Sequence, residues 1–129
     1  MSDYQFRLIK SAWGIAIDLT ADWIILEHGP TSEILKVTDH LFLQVEWHPE
    51  GEIVEYLRKG LGLLADQIAA TQSQAILIRV QNIVINECDF QIEGIALTIM
   101  HWAVQEFGLA YTFTPIEFDK SNNRYVIAL

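Results

Sequence analysis

One cysteine, three prolines and eight basic residues among 129 leave this chain without several of the usual signs of a function. Cys88 has no second cysteine to pair with, so no disulfide can form within the chain. That excludes a disulfide-built secreted scaffold and makes a reducing compartment, the cytoplasm, the default expectation. His28, His40, His48 and His101 stand in four separate segments, with no His-x-His or His-x-x-x-His spacing to converge on a metal. Neither Gly-x-x-x-x-Gly-Lys nor Gly-x-Gly-x-x-Gly occurs to cradle a phosphate, and no Gly-x-Ser-x-Gly elbow presents a serine. No metal or other cofactor is therefore expected. Met1 to Arg7 lacks the basic segment and apolar stretch of a secretory signal, and no apolar run approaches the roughly 20 residues that span a bilayer.

Positive charge is the scarcest commodity. Eight Lys and Arg against 17 Asp and Glu give a net charge of −9. Each contacted phosphate needs a cation beside it, so this balance argues against nucleic acid or an anionic membrane as partner. A basic or neutral protein fits better. The acidic excess is shared between the two halves of the chain, without a charged tail.

What the chain has in quantity is apolar side chains. They make up 51% of it, with 11% aromatics, enough for a single domain over residues 1–129 to bury about two thirds of its unfolded surface. Trp13, Ile15, Ile17 and Leu19 alternate with smaller or polar residues, the period of a half-buried strand. Phe6 to Ile9 and Trp23 to His28 are shorter strand candidates, and the run around Leu41, Leu43, Val45 and Trp47 is the clearest strand of the first half. His28 to Ser32 and His48 to Gly51 read as turns. Four strands are expected before the first helix.

From Glu52 to Ala70 the period changes to that of a helix. Ile53, Val54, Leu57, Leu61, Leu64, Ala65 and Ile68 share one face, opposite Glu55, Arg58, Lys59 and Asp66. Ile76 to Ile85 is apolar on both faces, as in a central strand, with Ile76, Ile78, Val80 and Val84 facing one way and Leu77, Ile83 and Ile85 the other. A second helix runs from an Asp89 cap to a Gly108 stop, and its only polar strip is Gly94, Thr98, His101 and Gln105. A helix this apolar needs cover on more than one side. Tyr111 to Phe118 and Arg124 to Leu129 read as a hairpin joined through Asp119 to Asn123. The expected fold is α+β: a mostly antiparallel sheet, including the hairpin, packed against two helices in the order ββββ-α-β-α-ββ.

Candidate chemistry is thin. Asp89 and Glu93 stand four apart at the start of the second helix, close enough to share a proton or a cation, although capping explains both. Cys88 and His101 are separated by more than about 15 Å of helix rise, too far for a thiolate pair. Trp13 and Trp47 are in phase with strand cores, whereas Trp102 beside His101 and Gln105 is a candidate contact anchor. Glu46, Glu50, Glu52 and Glu55 form an acidic segment suited to a basic partner.

Tyr56 to Leu61, the strand at Ile76 to Ile85, and Asp89 with Glu93 opening an alanine-containing helix resemble the fourth domain of elongation factor G, over about residues 53–107. The resemblance implies a small α+β fold with a left-handed βαβ crossover. It does not carry that domain's place at ribosomal RNA, because the basic charges for it are missing. The expected function is therefore a non-catalytic acidic protein-binding module, such as a neutralising, immunity-type partner of a basic toxin or nuclease. One alternative is a small enzyme using Asp89, Glu93 and His101. Another is a self-associating subunit, a homodimer joined through an exposed edge of the Tyr111 to Phe118 hairpin.

Overall fold

The computed structural model describes residues 1–10, 13–29, 33–47, 49 and 51–129. Residues 30–32 of the first turn, with His48 and Glu50, lie outside these. Strands β1 (Ser2–Ile9), β2 (Gly14–Ile25), β3 (Leu35–Thr38) and β4 (Leu41–Val45) precede helix α1 (Gly51–Ala69). Then come β5 (Ile76–Ile85), helix α2 (Glu93–Phe107) and the short strands β6 (Glu117–Asp119) and β7 (Arg124–Val126). The class is α+β and the order is ββββ-α-β-α-ββ, as the periodicities predict.

The main sheet has the strand order β1-β2-β5-β4-β3, with β5 at its centre. All neighbours are antiparallel except β4 and β5, which α1 joins as a parallel pair. Both helices lie on one face, α2 against β1 and β2, and α1 against β3 and β4. No helix among the described residues is long and apolar enough to cross a membrane.

The four early strands are partitioned differently from the expectation. The alternation at Trp13, Ile15, Ile17 and Leu19 continues unbroken through Ala21, Trp23 and Ile25, so the two separate candidates are one strand. The additional strand is β3, whose four residues are all exposed or only half-buried and so carry no alternation to read. In β5 the pairing with β2 passes from Val80↔Ala21 to Asn82↔Thr20 and skips Gln81. This bulge shifts the side-chain phase by one residue. Ile83 and Ile85 therefore join Ile76, Ile78 and Val80 on the core, and Val84 is left 53% exposed, the reverse of the expected facing. Leu77, on the other face, is buried as expected of a central strand.

Helix α2 is the middle of the core. Ile95, Ala96, Ile99, Trp102 and Ala103 are fully or almost fully buried, and so are Gly94 and Thr98 of the supposed polar strip. The strip faces the sheet because it is narrow there: a Cβ on Gly94 would stand 2.9 Å from both Ile15 and Ile17. The Thr98 hydroxyl is satisfied within the helix, donating to the Gly94 carbonyl at 2.7 Å. On the other side α1 crosses α2 at Gly60, where a Cβ would meet the Ala96 carbonyl oxygen at 2.6 Å. The helix begins at Glu93, with Ile92 as the cap position and no side-chain cap, so Asp89 does not cap it. Gly108 does end it, in the left-handed conformation (φ 64°) that favours glycine.

The C-terminal hairpin is a separate two-stranded sheet and does not extend the main one. Residues 109–116 form no strand, because Leu109, Tyr111, Phe113 and Ile116 turn their side chains onto the core and no backbone pairs beside them. The expected strand at Tyr111 to Phe118 is therefore reduced to Glu117 and Phe118 at the start of β6.

The two central glycines of α1 have opposite environments, since the nearest atom to a Cβ on Gly62 is a Val37 methyl at 4.0 Å. Gly60→Ala is expected to cost about 1–3 kcal/mol through the clash with α2. Gly62→Ala should gain up to about 1 kcal/mol from helix propensity. Urea denaturation of the two variants checks both signs.

Candidate functional site

Asp89 and Glu93 have different partners, and each holds a different part of the fold. The Asp89 carboxylate accepts from the Gly14 N–H at 3.1 Å and its carbonyl accepts from the Ala16 N–H at 2.9 Å, fastening the loop before α2 to the start of β2. Glu93 Oε2 receives Arg124 Nη2 at 2.6 Å and Gln91 Nε2 at 2.6 Å, which fastens α2 to β7.

Two residues that sequence reasoning passed over organise this junction. Gln91 is 8% exposed, and its side-chain amide accepts from the Tyr125 N–H at 2.8 Å and donates to the Tyr125 carbonyl at 2.8 Å. The amide thus takes the place of a paired strand, satisfying backbone groups that burial would otherwise leave costly. The Tyr125 hydroxyl donates to the Trp13 carbonyl and accepts from the Lys10 N–H, each at 2.8 Å. A lone glutamine and a lone tyrosine 34 positions apart have no spacing that would give them away.

Trp102 is not an exposed anchor. It is 1% exposed, and its indole N–H donates to the Ser2 hydroxyl at 2.9 Å. His101 lies between the Tyr4 ring, stacked at 5.3 Å, and the Phe113 ring, stacked at 3.7 Å. Burial among these rings holds its pKa below the usual 6.5. Asp89, Glu93 and His101 are thus each engaged with different partners, and Cys88 is exposed in the loop before α2. Among the described residues no three of His, Cys, Asp and Glu gather as a metal would need.

The opposite flank of the sheet is concave. A groove of about 670 Å³ lies between the end of β4, the approach to β3 and the first turn of α1. Leu35, Val45, Trp47, Pro49 and Val54 give it apolar walls, with Gln44, Glu33 and Glu46 as its polar groups. Glu33 and Glu46 are exposed. Five ion pairs occur among the described residues, Arg7–Asp18, Lys36–Asp39, Arg58–Glu55, Arg79–Asp22 and Arg124–Glu93. None includes Glu33, Glu46 or Glu52. Of the acidic segment, Glu46 lines this groove and Glu52 lies exposed on the first turn of α1. Glu55 is engaged by Arg58 at 3.5 Å beside a second, shallower hollow with Val37, Tyr56 and Lys59.

Behind the groove, on the sheet face away from the helices, Arg79 grips Asp22 with two hydrogen bonds, 2.8 and 2.7 Å. The fork of bonds from Arg79 holds the Asp22 carboxyl below the usual carboxylate range, against the opposing effect of burial. Glu46 adds its field at Arg79.

Comparison of the chain with models of known families, with curated proteins and with solved structures finds no match in any of the three.

The lowered pKa of His101 sets a pH dependence. The unfolded chain takes up a proton near 6.5 and the folded chain only at lower pH, so stability is full above 6.5 and falls as the pH drops from there toward the folded value. His101→Phe should remove this component of the slope, as read from urea midpoints measured between pH 7 and roughly pH 5.

Proposed function

We propose that this protein is a non-catalytic module that binds a basic protein, in the manner of a neutralising partner of a cationic toxin or nuclease. The observation that carries the reading is the groove at the β3–β4 flank, where apolar walls lie beside carboxylates that no ion pair among the described residues engages. An arginine or lysine suits such a place: its aliphatic stem lies along Trp47, Pro49 and Val54 while its charged head reaches Glu33 or Glu46. The net charge of −9 steers a cationic surface toward the chain over a longer range. Glu52, exposed one turn away, extends the same field. The lone, exposed Cys88 suits action in the reducing cytoplasm. The partial resemblance of residues 53–107 to the fourth domain of elongation factor G contributes a proposed kinship of fold and no activity.

Affinity capture tests the reading. Tagged wild-type protein, presented to lysate of its own organism, is expected to retain a basic protein that high salt releases. The Glu33→Lys/Glu46→Lys variant should bind that protein on the order of tenfold more weakly while melting as the wild type does. Equal retention by wild type and variant would take recognition away from the groove, and retention insensitive to salt would take it away from charge.

A further inference from the structure

We propose that β1 pairs with β1 of a second copy, antiparallel about a twofold axis at Gln5, so that two main sheets become one. β1 is the terminal strand of the sheet, eight residues long, and its pairing with β2 runs without a shift from Ser2↔Ala21 to Ile9↔Gly14. Among the described residues no backbone segment bonds to its outer side. Sheet edges are usually protected by a proline, a bulge or a covering element. β1 has no proline and no bulge, and residues 109–116 approach it through side chains, as at the Tyr4, His101 and Phe113 stack. The edge is thus a regular strand open to pairing.

The residues along it select one partner and one register. The Ala16 N–H and carbonyl turn away from β1, to the Asp89 carbonyl and the Asn86 N–H, so it is Ile15, Ile17 and Leu19 of β2 whose backbone groups bond to β1, at Leu8, Phe6 and Tyr4. Backbone groups alternate along a strand, so Asp3, Gln5, Arg7 and Ile9 present theirs outward and must pair with one another in an antiparallel ladder. Of the registers this allows, the one centred on Gln5 sets Asp3 of each copy opposite Arg7 of the other. Both residues are exposed, and both are on the sheet face away from the helices. The same register sets Tyr4 opposite Phe6. It also brings Met1, 83% exposed, to Ile9, 77% exposed, at both ends, covering two of the most exposed apolar side chains of the molecule. Opposite charges directly across a ladder and apolar pairs at its ends are what favour one register over its neighbours. In the free monomer Asp3 accepts from the Thr20 hydroxyl at 2.8 Å and Arg7 bridges to Asp18 at 2.6 Å; both residues stay aligned on that face by these contacts. An interface made of a single strand pair is small, so the dimer forms at high protein concentration.

Light scattering of the full chain over a roughly thousand-fold range of concentration tests this. The expected mass rises from 14.7 kDa toward twice that value. Gln5→Lys sets two lysines face to face at the axis, yet within one chain it places a cation beside Asp18, its cross-strand neighbour, so folding is retained. This variant should associate on the order of tenfold more weakly. Asp3→Arg and Arg7→Asp should each stay monomeric alone and associate when mixed, because the mixture restores both opposite-charge pairs. A mass fixed at 14.7 kDa throughout the range overturns the proposal. Association of Gln5→Lys equal to the wild type also overturns it, because the contact then lies elsewhere. Should Arg7→Asp fail to fold, Gln5→Lys and Asp3→Arg decide the matter.

Discussion

The seating of α2 is the constraint on which the remaining structure depends. The helix is enclosed by β1 and β2 on one side and α1 on another, and at each contact a glycine removes the Cβ that would hold the layers apart. Gly94 lets the helix settle onto Ile15 and Ile17, and Gly60 lets α1 settle onto the Ala96 backbone. Enclosure of this kind gains several large apolar side chains, each worth about 1.5–3 kcal/mol when fully buried. It also obliges every polar group nearby to find a partner inside the protein. Thr98 bonds within its own helix, Trp102 bonds to Ser2, and Gln91 stands in for a strand beside Tyr125.

That obligation explains why the residues most suggestive of chemistry have structural tasks. Asp89 ties the loop before α2 to β2, and Glu93 ties α2 to β7. His101 fills the space between Tyr4 and Phe113, where its burial favours the neutral ring. Glu33 and Glu46, which line the groove at the other flank, are in none of the ion pairs among the described residues. Of the few cations in the chain, five are committed to Asp or Glu partners among the described residues, which leaves most of the acidic side chains without one.

Much of the architecture was legible from periodicity. The strand at Trp13 to Leu19, the amphipathic first helix and the Gly108 stop follow from side-chain spacing and from glycine's access to the left-handed conformation. The misreadings have local causes. Gln81 looks like any strand residue, yet the extra residue it inserts reverses the facing of Ile83, Val84 and Ile85. Gly94 and Thr98 counted as polar in a projection, whereas a glycine is a gap and a threonine can satisfy itself, so the strip they form can be buried. Tyr111 to Ile116 has the composition of a strand but no neighbouring backbone to pair with. The groove was visible only in part. Glu46 stood out as acidic, but Glu33 comes from a segment distant in sequence, and Trp47 had been assigned to the core; it does pack there while also lining the groove.

The central claim, that the α2 end of the molecule is structural and recognition belongs to the β3–β4 flank, is open to a direct map. Backbone amide spectra of the labelled protein, titrated with an arginine-rich peptide, should shift at Glu33, Leu35, Gln44 to Trp47 and Val54 and fade with added salt. Amides from Asp89 to Glu93 and at His101 should stay in place. Shifts centred on Asp89, Glu93 and His101, with the groove unmoved, would contradict the account.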